Sequence, residues 1–96
     1  MIDLIWSPQA IRDIESIRSY IAEDSELYAE FVVGRIINSM KRLREFPKSG
    51  RIVPERADGG IREVLVSPYR VVYRHTGDRV EIVTVFRASR LFPDAL

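Results

Sequence analysis

The 96-residue chain contains no cysteine and a single histidine, His75. Without cysteine it can form no disulfide scaffold, zinc ribbon or thiol nucleophile. One histidine is too few for a histidine-based metal cluster, so we expect neither a metal nor a cofactor. The sequence also contains no glycine-rich phosphate loop and no nucleophile elbow. It therefore gives little direct support for catalysis.

Long apolar runs are also missing, and no segment approaches membrane-spanning length. The first residues, Met1–Trp6, lack the basic region of a signal peptide. We therefore expect a cytoplasmic protein with no membrane partner. A length of 96 residues, 46% of them hydrophobic and 30% charged, predicts one folded domain over residues 1–96. The net charge of +1 argues against indiscriminate nucleic-acid binding.

The charges are unevenly distributed along the chain. Residues 1–34 contain two basic and seven acidic side chains, whereas residues 35–96 contain thirteen basic and seven acidic ones. The arginines of the basic part lie inside runs with strand-like patterns. A folded surface of guanidinium groups can bind phosphates, carboxylates or an acidic protein. The functional site is therefore expected among the arginines of residues 35–96.

The first half of the chain predicts a strand followed by two helices. Ile2–Trp6 is a short apolar run, and Ser7-Pro8 is typical of a helix start. Apolar residues at three- and four-residue spacing then mark two amphipathic helices. The first carries Ala10, Ile14, Ile17 and Ile21, with Arg12, Asp13, Glu15 and Arg18 facing water. The second begins after Asp24 or Ser25, carries Ala29, Val32, Ile36, Met40 and Leu43, and runs to about Phe46, where Pro47 stops it.

The second half predicts a loop and three strands. Residues 48–60 are polar and contain glycine, with a brief extended piece at 51–53. Residues 61–66, 69–75 and 79–86 read as strands joined by tight turns, followed by a short tail over residues 88–96. The predicted fold class is α+β with the order β-α-α-β-β-β. A helical hairpin packs on one face of a curved, mainly antiparallel sheet whose other face is partly open.

The candidate functional side chains are arginines of the predicted sheet: Arg62, Arg70, Arg74, Arg87 and Arg90. Arg74 and Arg79 are best explained by cross-strand pairing with glutamates such as Glu63 and Glu81. Arg70 follows a proline turn, and a guanidinium there could bind an anion or an acidic peptide. His75 is adjacent to a turn, which is typical of a surface residue rather than a general base. Glu45, Glu55 and Glu63 could supply a carboxylate base, but nothing in their spacing pairs them with an acid.

An ordered set of motifs resembles the RelE/ParE superfamily of toxins. The set begins with Trp6-Ser7-Pro8 and Ala10, followed by Asp13-Ile14 and Tyr20-Ile21 on the first helix. It continues with the run from Phe46 to Glu55, Ile61-Arg62-Glu63-Val64, Tyr69-Arg70-Val71-Val72-Tyr73, residues 80–85 and Arg87-Ala88-Ser89-Arg90-Leu91. The resemblance spans essentially the whole chain. It implies the toxin of a type II toxin–antitoxin module, of the kind often called plasmid stabilisation proteins. Such toxins are silenced by an antitoxin whose acidic, partly disordered segment wraps around them, which fits the charge asymmetry.

Two activities occur in this superfamily, and the resemblance favours one. RelE-like members cleave mRNA on the ribosome, whereas ParE-like members inhibit DNA gyrase. Residues 88–96 contain no tyrosine or histidine, and Arg87 stands where many relatives carry histidine. Both departures remove candidate acid–base groups, and arginine cannot exchange protons near neutral pH. The interpretation is therefore ParE-like, a gyrase inhibitor rather than an enzyme.

The alternative hypotheses are an mRNA endoribonuclease and a toxin-like protein that only binds its antitoxin. In the endoribonuclease, Arg62, Arg70 and Arg87 would surround the phosphate, with a glutamate or His75 as base. In any of these, we expect antitoxin or target binding at Arg51, Arg62, Arg70, Arg87 and Arg90. These guanidinium groups are predicted to converge at one end of the sheet. A second binding surface is expected in the groove between the helical hairpin and the sheet.

Overall fold

The computed structural model describes residues 1–56, 60–94 and 96. Strand β1 (Asp3–Trp6) leads into helix α1 (Pro8–Ala22) and helix α2 (Glu26–Met40), which a 3-10 turn (Lys41–Arg44) extends. Four strands follow: β2 (Arg51–Ile52), β3 (Arg62–Val66), β4 (Tyr69–Thr76) and β5 (Arg79–Arg87). The predicted α+β order is confirmed, with β2 supplying the brief extended piece. The α-helical part of the second helix ends at Met40, six residues before the predicted end near Phe46.

The strands form one mixed sheet in the order β1-β5-β4-β3-β2. β1 pairs with β5 in parallel, and the other neighbours are antiparallel, so β3, β4 and β5 form the predicted meander. The β4–β5 turn contains Gly77 at a φ of 58°, a conformation that glycine adopts without a steric penalty. The register of β4 with β5 shifts between Val72 and Tyr73. This irregularity bends the two central strands.

Both helices begin with a serine cap: Ser7 for α1, as the sequence predicts, and Ser25 for α2, one of the two predicted alternatives. The hydroxyl of Ser7 accepts from the backbone N–H of Ala10, and that of Ser25 accepts from Tyr28, each at 3.0 Å. Ser7 also donates to the carbonyl of Val83 at 2.8 Å, which joins the start of α1 to β5. A hydroxyl that caps a helix and binds a strand fixes the angle between them.

The main core lies between the helical hairpin and one face of the sheet. All five apolar residues predicted for α2 and its extension are buried, and α1 contributes Ala10 and Ile14 with Ile17 and Ile21 at the margin. The sheet contributes Tyr69, Val71, Tyr73, Val80, Ile82 and Val85. The periodicity prediction of the helix faces is therefore confirmed.

A second, smaller core covers the opposite face of the sheet. It consists of Val53, Ile61, Val72 and Phe86, with Phe92 and Leu96 packed against it. The side chain of Arg56 also donates to the carbonyl of Leu96. The prediction of a partly open face is thus modified, because the C-terminal tail and the segment after β2 lie on it.

The loop before β2 is attached to the sheet by Tyr73. Its hydroxyl donates to the carbonyl of Pro47 at 2.7 Å and accepts from the N–H of Gly50 at 3.0 Å. Burial raises the pKa of Tyr73, which keeps the hydroxyl protonated and able to donate. A Cβ on Gly50 would lie 2.6 Å from the Tyr73 ring and 2.7 Å from the carbonyl oxygen of Glu63. The close approach of loop and sheet therefore requires glycine at this position.

Candidate functional site

Arg70 is the centre of an ionic network on the outer face of the sheet, the face opposite the helices. Its Nε donates to Glu63 at 2.6 Å, and its two terminal nitrogens donate to the two carboxylate oxygens of Glu55 at 3.0 and 2.8 Å. The second oxygen of Glu63 accepts from Arg51 at 2.5 Å. The side chains of Glu63 and Arg70 are 0% and 8% exposed. Two carboxylates thus use all three donor groups of Arg70.

Two aromatic rings lie against the Arg70 guanidinium. Its central carbon is 5.4 Å from the ring centre of Phe86 and 5.2 Å from that of Phe92. Phe86 and Phe92 also contact each other edge to face, at 6.0 Å between ring centres. Contact with the aromatic faces stabilises the buried cation. Phe92 therefore brings the C-terminal tail into the network.

The electrostatics of the network are those of a tight ion pair. Hydrogen bonding to Arg70 lowers the pKa of Glu55 to about 2. The hydrogen bonds from Glu55 and Glu63 raise the pKa of Arg70 above its ordinary value, against the opposing effect of burial. Arg70 and Glu55 therefore both stay charged near neutral pH.

The sequence prediction of an open anion site at Arg70 is therefore wrong. The proline turn does precede Arg70, but its side chain points into the second core. An external phosphate would have to displace Glu55 and Phe92 before reaching the guanidinium. The same two glutamates that were candidate bases, Glu55 and Glu63, are ion-pair partners of this arginine.

The predicted convergence of the arginines is also wrong. Cross-strand partners share a face of the sheet, and the partners of Arg62 and Arg87 are Tyr73 and Tyr69, on the helix side. Arg70 pairs with Phe86 on the outer face. Tyr69 and Tyr73 are four residues apart along β4, or roughly 13 Å. Arg62, Arg70 and Arg87 thus occupy three separate places.

The contacts of Arg62 and Arg51 stabilise the loop that precedes β2. Arg62 donates to the backbone carbonyls of Lys48 and Gly50, at 3.4 and 2.9 Å. Arg51 lies over the outer face, where it neutralises Glu63 while 55% of its own side chain stays exposed. Both contacts hold residues 48–51 against the sheet. Binding of a partner by either guanidinium stays a prediction.

A groove of about 290 Å³ lies between α1 and the end of β5, where β1 no longer covers the strand. Arg87 and Arg90 line it and are both exposed. The guanidinium of Arg87 lies 5.8 Å from the ring centre of Tyr69, which is buried at the base. Tyr20 forms the opposite wall with 73% of its surface exposed. This groove combines aromatic surface with two cations that form no ion pair among the residues described by the structure.

Asp13 closes the inner end of the groove. One oxygen of its carboxylate accepts from the Thr84 hydroxyl at 2.5 Å and from the backbone N–H of Val85 at 2.9 Å. That N–H belongs to the part of β5 beyond its last pairing with β1. The prediction that Asp13 faces water is therefore wrong, because the carboxylate satisfies an edge N–H of the sheet. Sequence reasoning did not place Asp13, Tyr20 and Tyr69 in a groove, although all three belong to the motifs of the family resemblance.

The remaining candidate groups lie away from this groove. His75 is on the β4–β5 turn, with its Nε2 3.0 Å from the carbonyl oxygen of Gly77. Arg74 is exposed and lies opposite Glu81 in the strand register, as the pairing hypothesis predicts, although the described residues show no ion pair between the two. Glu45 is exposed beside the 3-10 turn. Within residues 1–56, 60–94 and 96, no cluster of three His, Asp or Glu side chains could hold a metal ion, and no helix is long and apolar enough to cross a membrane.

The two-helix, five-stranded fold and its sequence define a toxin of the type II toxin–antitoxin class, in the RelE/ParE superfamily. Residues 4–92 match the model of the family described as "ParE toxin of type II toxin-antitoxin system, parDE", and the chain belongs to this family. The superfamily resemblance and the predicted fold class are therefore confirmed.

Two relatives illustrate the relationship. The chain is 38% identical to the putative toxin Y4kP of Sinorhizobium fredii over 92 residues, 95% of this chain and 93% of the relative. It is 34% identical to the toxin RelE2 of Caulobacter vibrioides, over 95% of this chain and 100% of the relative. Both alignments cover nearly the full length of this chain and of the relative.

Solved structures show the same fold. A chain of the chromosomal ParDE system of P. aeruginosa superimposes with a TM-score of 0.73 at 26% identity, covering 91% of this chain and 96% of the other. A chain of the toxin–antitoxin complex RelBE2 of Mycobacterium tuberculosis gives a TM-score of 0.60 at 20% identity, over 93% of both chains. The second similarity supports the fold alone.

Proposed function

We propose that this protein is a ParE-like toxin that arrests growth by inhibiting DNA gyrase and is neutralised by a cognate acidic antitoxin. Membership of the ParE family and the similarity to a chain of a ParDE system support the proposal. Bacteria that lose a plasmid carrying such a pair would be arrested, which is the sense in which the protein would stabilise a plasmid.

The observation that carries the proposal is that Glu55 and Glu63 already bind the guanidinium of Arg70. RNA cleavage through the 2′-hydroxyl needs a cation at the scissile phosphate and groups that accept and donate protons. Arg70 is neutralised by Glu55 and Glu63 and covered by Phe92. His75 lies at the far end of β4 from Arg87. The endoribonuclease arrangement of Arg62, Arg70 and Arg87 around one phosphate is not assembled in this molecule.

Arg87 and Arg90 are the arginines that we assign to partner binding. They are exposed beside aromatic surface, and the described residues offer them no carboxylate partner. Guanidinium groups in this setting suit carboxylates on a protein surface. Arg51, Arg62 and Arg70 would then act indirectly, by holding the β2 loop and the C-terminal tail.

Assays of gyrase and of translation, run side by side, test the proposal. Purified protein is expected to inhibit gyrase supercoiling in a dose-dependent way, and prior addition of the antitoxin should abolish the effect. Expression without the antitoxin should cause filamentation and induction of the DNA damage response. Primer extension on mRNA from the arrested cells should show intact transcripts.

Two results would contradict the proposal in different ways. Unchanged supercoiling together with codon-linked mRNA cleavage would establish the endoribonuclease. The 34% identity to a protein named RelE2 would be consistent with that result. Normal growth on overexpression, with tight antitoxin binding, would leave only the antitoxin-binding role.

A further inference from the structure

A basic cleft lies on the 3-10 turn and the β2 loop, at the opposite end of the sheet from the Arg87–Arg90 groove. Arg44 in this turn donates to the carbonyl of Ile2, next to the start of β1, whereas the groove lies where β5 ends. The segment from Lys41 to Arg51 contains five basic residues and one acidic residue, Glu45.

Arg42 and Lys48 line this cleft, and Lys41 precedes Arg42 in the chain. All three are exposed and form no ion pair with any residue that the structure describes. Arg42 lines two adjoining cavities, of about 530 and 200 Å³. Arg62 lies beside the same loop, where it donates to the carbonyls of Lys48 and Gly50. Unpaired cations that face one cavity are suited to an anionic ligand.

The cleft also has an apolar wall. Phe46 is 59% exposed and lines the larger cavity with Pro47, between Arg42 and Lys48. The backbone under this wall is firmly held, because Tyr73 binds Pro47 and Gly50 and Arg62 binds the carbonyls of Lys48 and Gly50. Because this apolar surface between the cations is already rigid, it loses little conformational entropy when a partner binds.

We propose that this cleft binds an acidic peptide segment that places an apolar side chain on Phe46 between carboxylates that pair with Arg42 and Lys48. The proposal rests on the proposed function, because the segment would belong to the acidic antitoxin. The observations favour a peptide over a nucleic acid for two reasons. Single-stranded nucleic acids are bound along rows of aromatic platforms, whereas the cleft has one. The chain's net charge of +1 is also far below that of typical nucleic-acid-binding domains.

The test measures the affinity of the full-length toxin for the antitoxin encoded beside it. The double reversal Arg42→Glu/Lys48→Glu should raise the Kd by roughly ten- to thirty-fold at physiological salt, because each position changes from attraction to repulsion. Raising the salt to about 1 M should remove most of that difference, since charges in an open cleft are screened. Phe46→Ser should weaken binding without this salt dependence.

The matched control is Arg12→Glu/Arg74→Glu, which reverses two exposed arginines outside the cleft. It changes the net charge equally and should alter the Kd by less than three-fold, since both sites are exposed. Thermal unfolding of every variant identifies any that fails to fold. If Arg42→Glu/Lys48→Glu fails to fold, Arg42→Gln/Lys48→Gln replaces it.

The outcomes separate this inference from the proposed function. Equal effects of the two double reversals, or Kd values unchanged by both, would overturn the cleft proposal while leaving the toxin–antitoxin pair intact. The absence of any complex with the wild-type chain would overturn the proposed function first. Binding of a single-stranded oligonucleotide that is lost in Arg42→Glu/Lys48→Glu, with antitoxin affinity unchanged, would assign the cleft to nucleic acid instead.

Discussion

The guanidinium of Arg70 lies 2.6 Å from a carboxylate of Glu63 that is fully buried, in the middle of the outer sheet face. The two residues lie on neighbouring strands, and each has a second ionic partner, Glu55 for Arg70 and Arg51 for Glu63. The four charges therefore form one chain of alternating sign. Because Phe92 contacts Arg70, this chain also holds the C-terminal tail.

Removing one member of the buried pair should be costly. Arg70→Leu leaves Glu63 with only the partly exposed Arg51, and we expect a loss of about 3 to 5 kcal/mol in the free energy of unfolding. The double variant Arg70→Leu/Glu63→Leu removes both buried charges and should be more stable than Arg70→Leu alone. Urea denaturation of the wild type, both single variants and the double variant measures the coupling. Additive losses would show that the two side chains do not interact.

The Glu55–Arg70 contact predicts a specific dependence of stability on pH. The pKa of Glu55 is lowered from 4.5 to about 2 in the folded protein. A lowered pKa stabilises the fold above the ordinary value, and this contribution disappears as the pH falls from 4.5 towards about 2. Because 44% of the Glu55 side chain is exposed, solvent reduces the effect.

The control for that dependence is Glu55→Gln, which keeps the shape of the side chain and removes its titration. Unfolding free energies measured across the acid range should converge for wild type and variant as the pH falls below about 2, where Glu55 becomes mostly protonated in the folded protein as well. Above pH 4.5 the wild type should be the more stable of the two. Parallel curves at all pH values would contradict the ion-pair origin of the shift.

The fold could be predicted because its signals are local. The serine caps of the helices, the three- and four-residue spacing of their apolar positions and the Ser67-Pro68 turn each depend on a few neighbouring residues. The end of α2 at Met40 was missed because the apolar position Leu43 continues the stripe into the 3-10 turn. Periodicity alone does not distinguish the last α-helical turn from a 3-10 turn.

The site could not be predicted in the same way, since it depends on which charges meet across the sheet. Period-two alternation along β4 does place Arg70 on the face opposite Tyr69 and Tyr73. It could not show that Glu55, from a loop fifteen residues earlier, would reach back to Arg70. Nor could it show that the tail would cover the outer face. Long-range pairing of charges follows from the packed structure and leaves little trace in local spacing.

Gly50 should not tolerate a side chain. Alanine there would place its Cβ 2.6 Å from the Tyr73 hydroxyl and 2.7 Å from the Glu63 carbonyl, distances that force the loop away from the sheet. We expect Gly50→Ala to destabilise the fold by about 1 to 3 kcal/mol. Gly34→Ala is the control, because nothing lies within 4 Å of the added Cβ and the site is inside α2. That variant should gain roughly 0.5 to 1 kcal/mol, and thermal unfolding should rank the two in opposite directions from the wild type.

Asp13 should be required to keep α1 against β5. Asp13→Ala leaves the N–H of Val85 and the hydroxyl of Thr84 without their shared acceptor, at an expected cost of about 1 to 3 kcal/mol. Asp13→Asn keeps one carbonyl oxygen in place and should lose less. Amide hydrogen exchange at Val85 provides the local readout: faster exchange in Asp13→Ala than in Asp13→Asn is expected. Identical exchange rates would show that the carboxylate does not protect this edge of the sheet.

The Arg87–Arg90 groove should contribute to toxicity rather than to stability. Both side chains are exposed, and Arg87 contacts Tyr69 only through its ring face, so Arg87→Glu/Arg90→Glu should shift the unfolding free energy by less than about 1 kcal/mol. If the groove binds the target, gyrase inhibition by this variant should fall at least ten-fold at the same protein concentration. Arg12→Glu/Arg74→Glu has the same change in net charge and should inhibit like the wild type. Unchanged inhibition by a folded Arg87→Glu/Arg90→Glu variant would place the target contact elsewhere on the molecule.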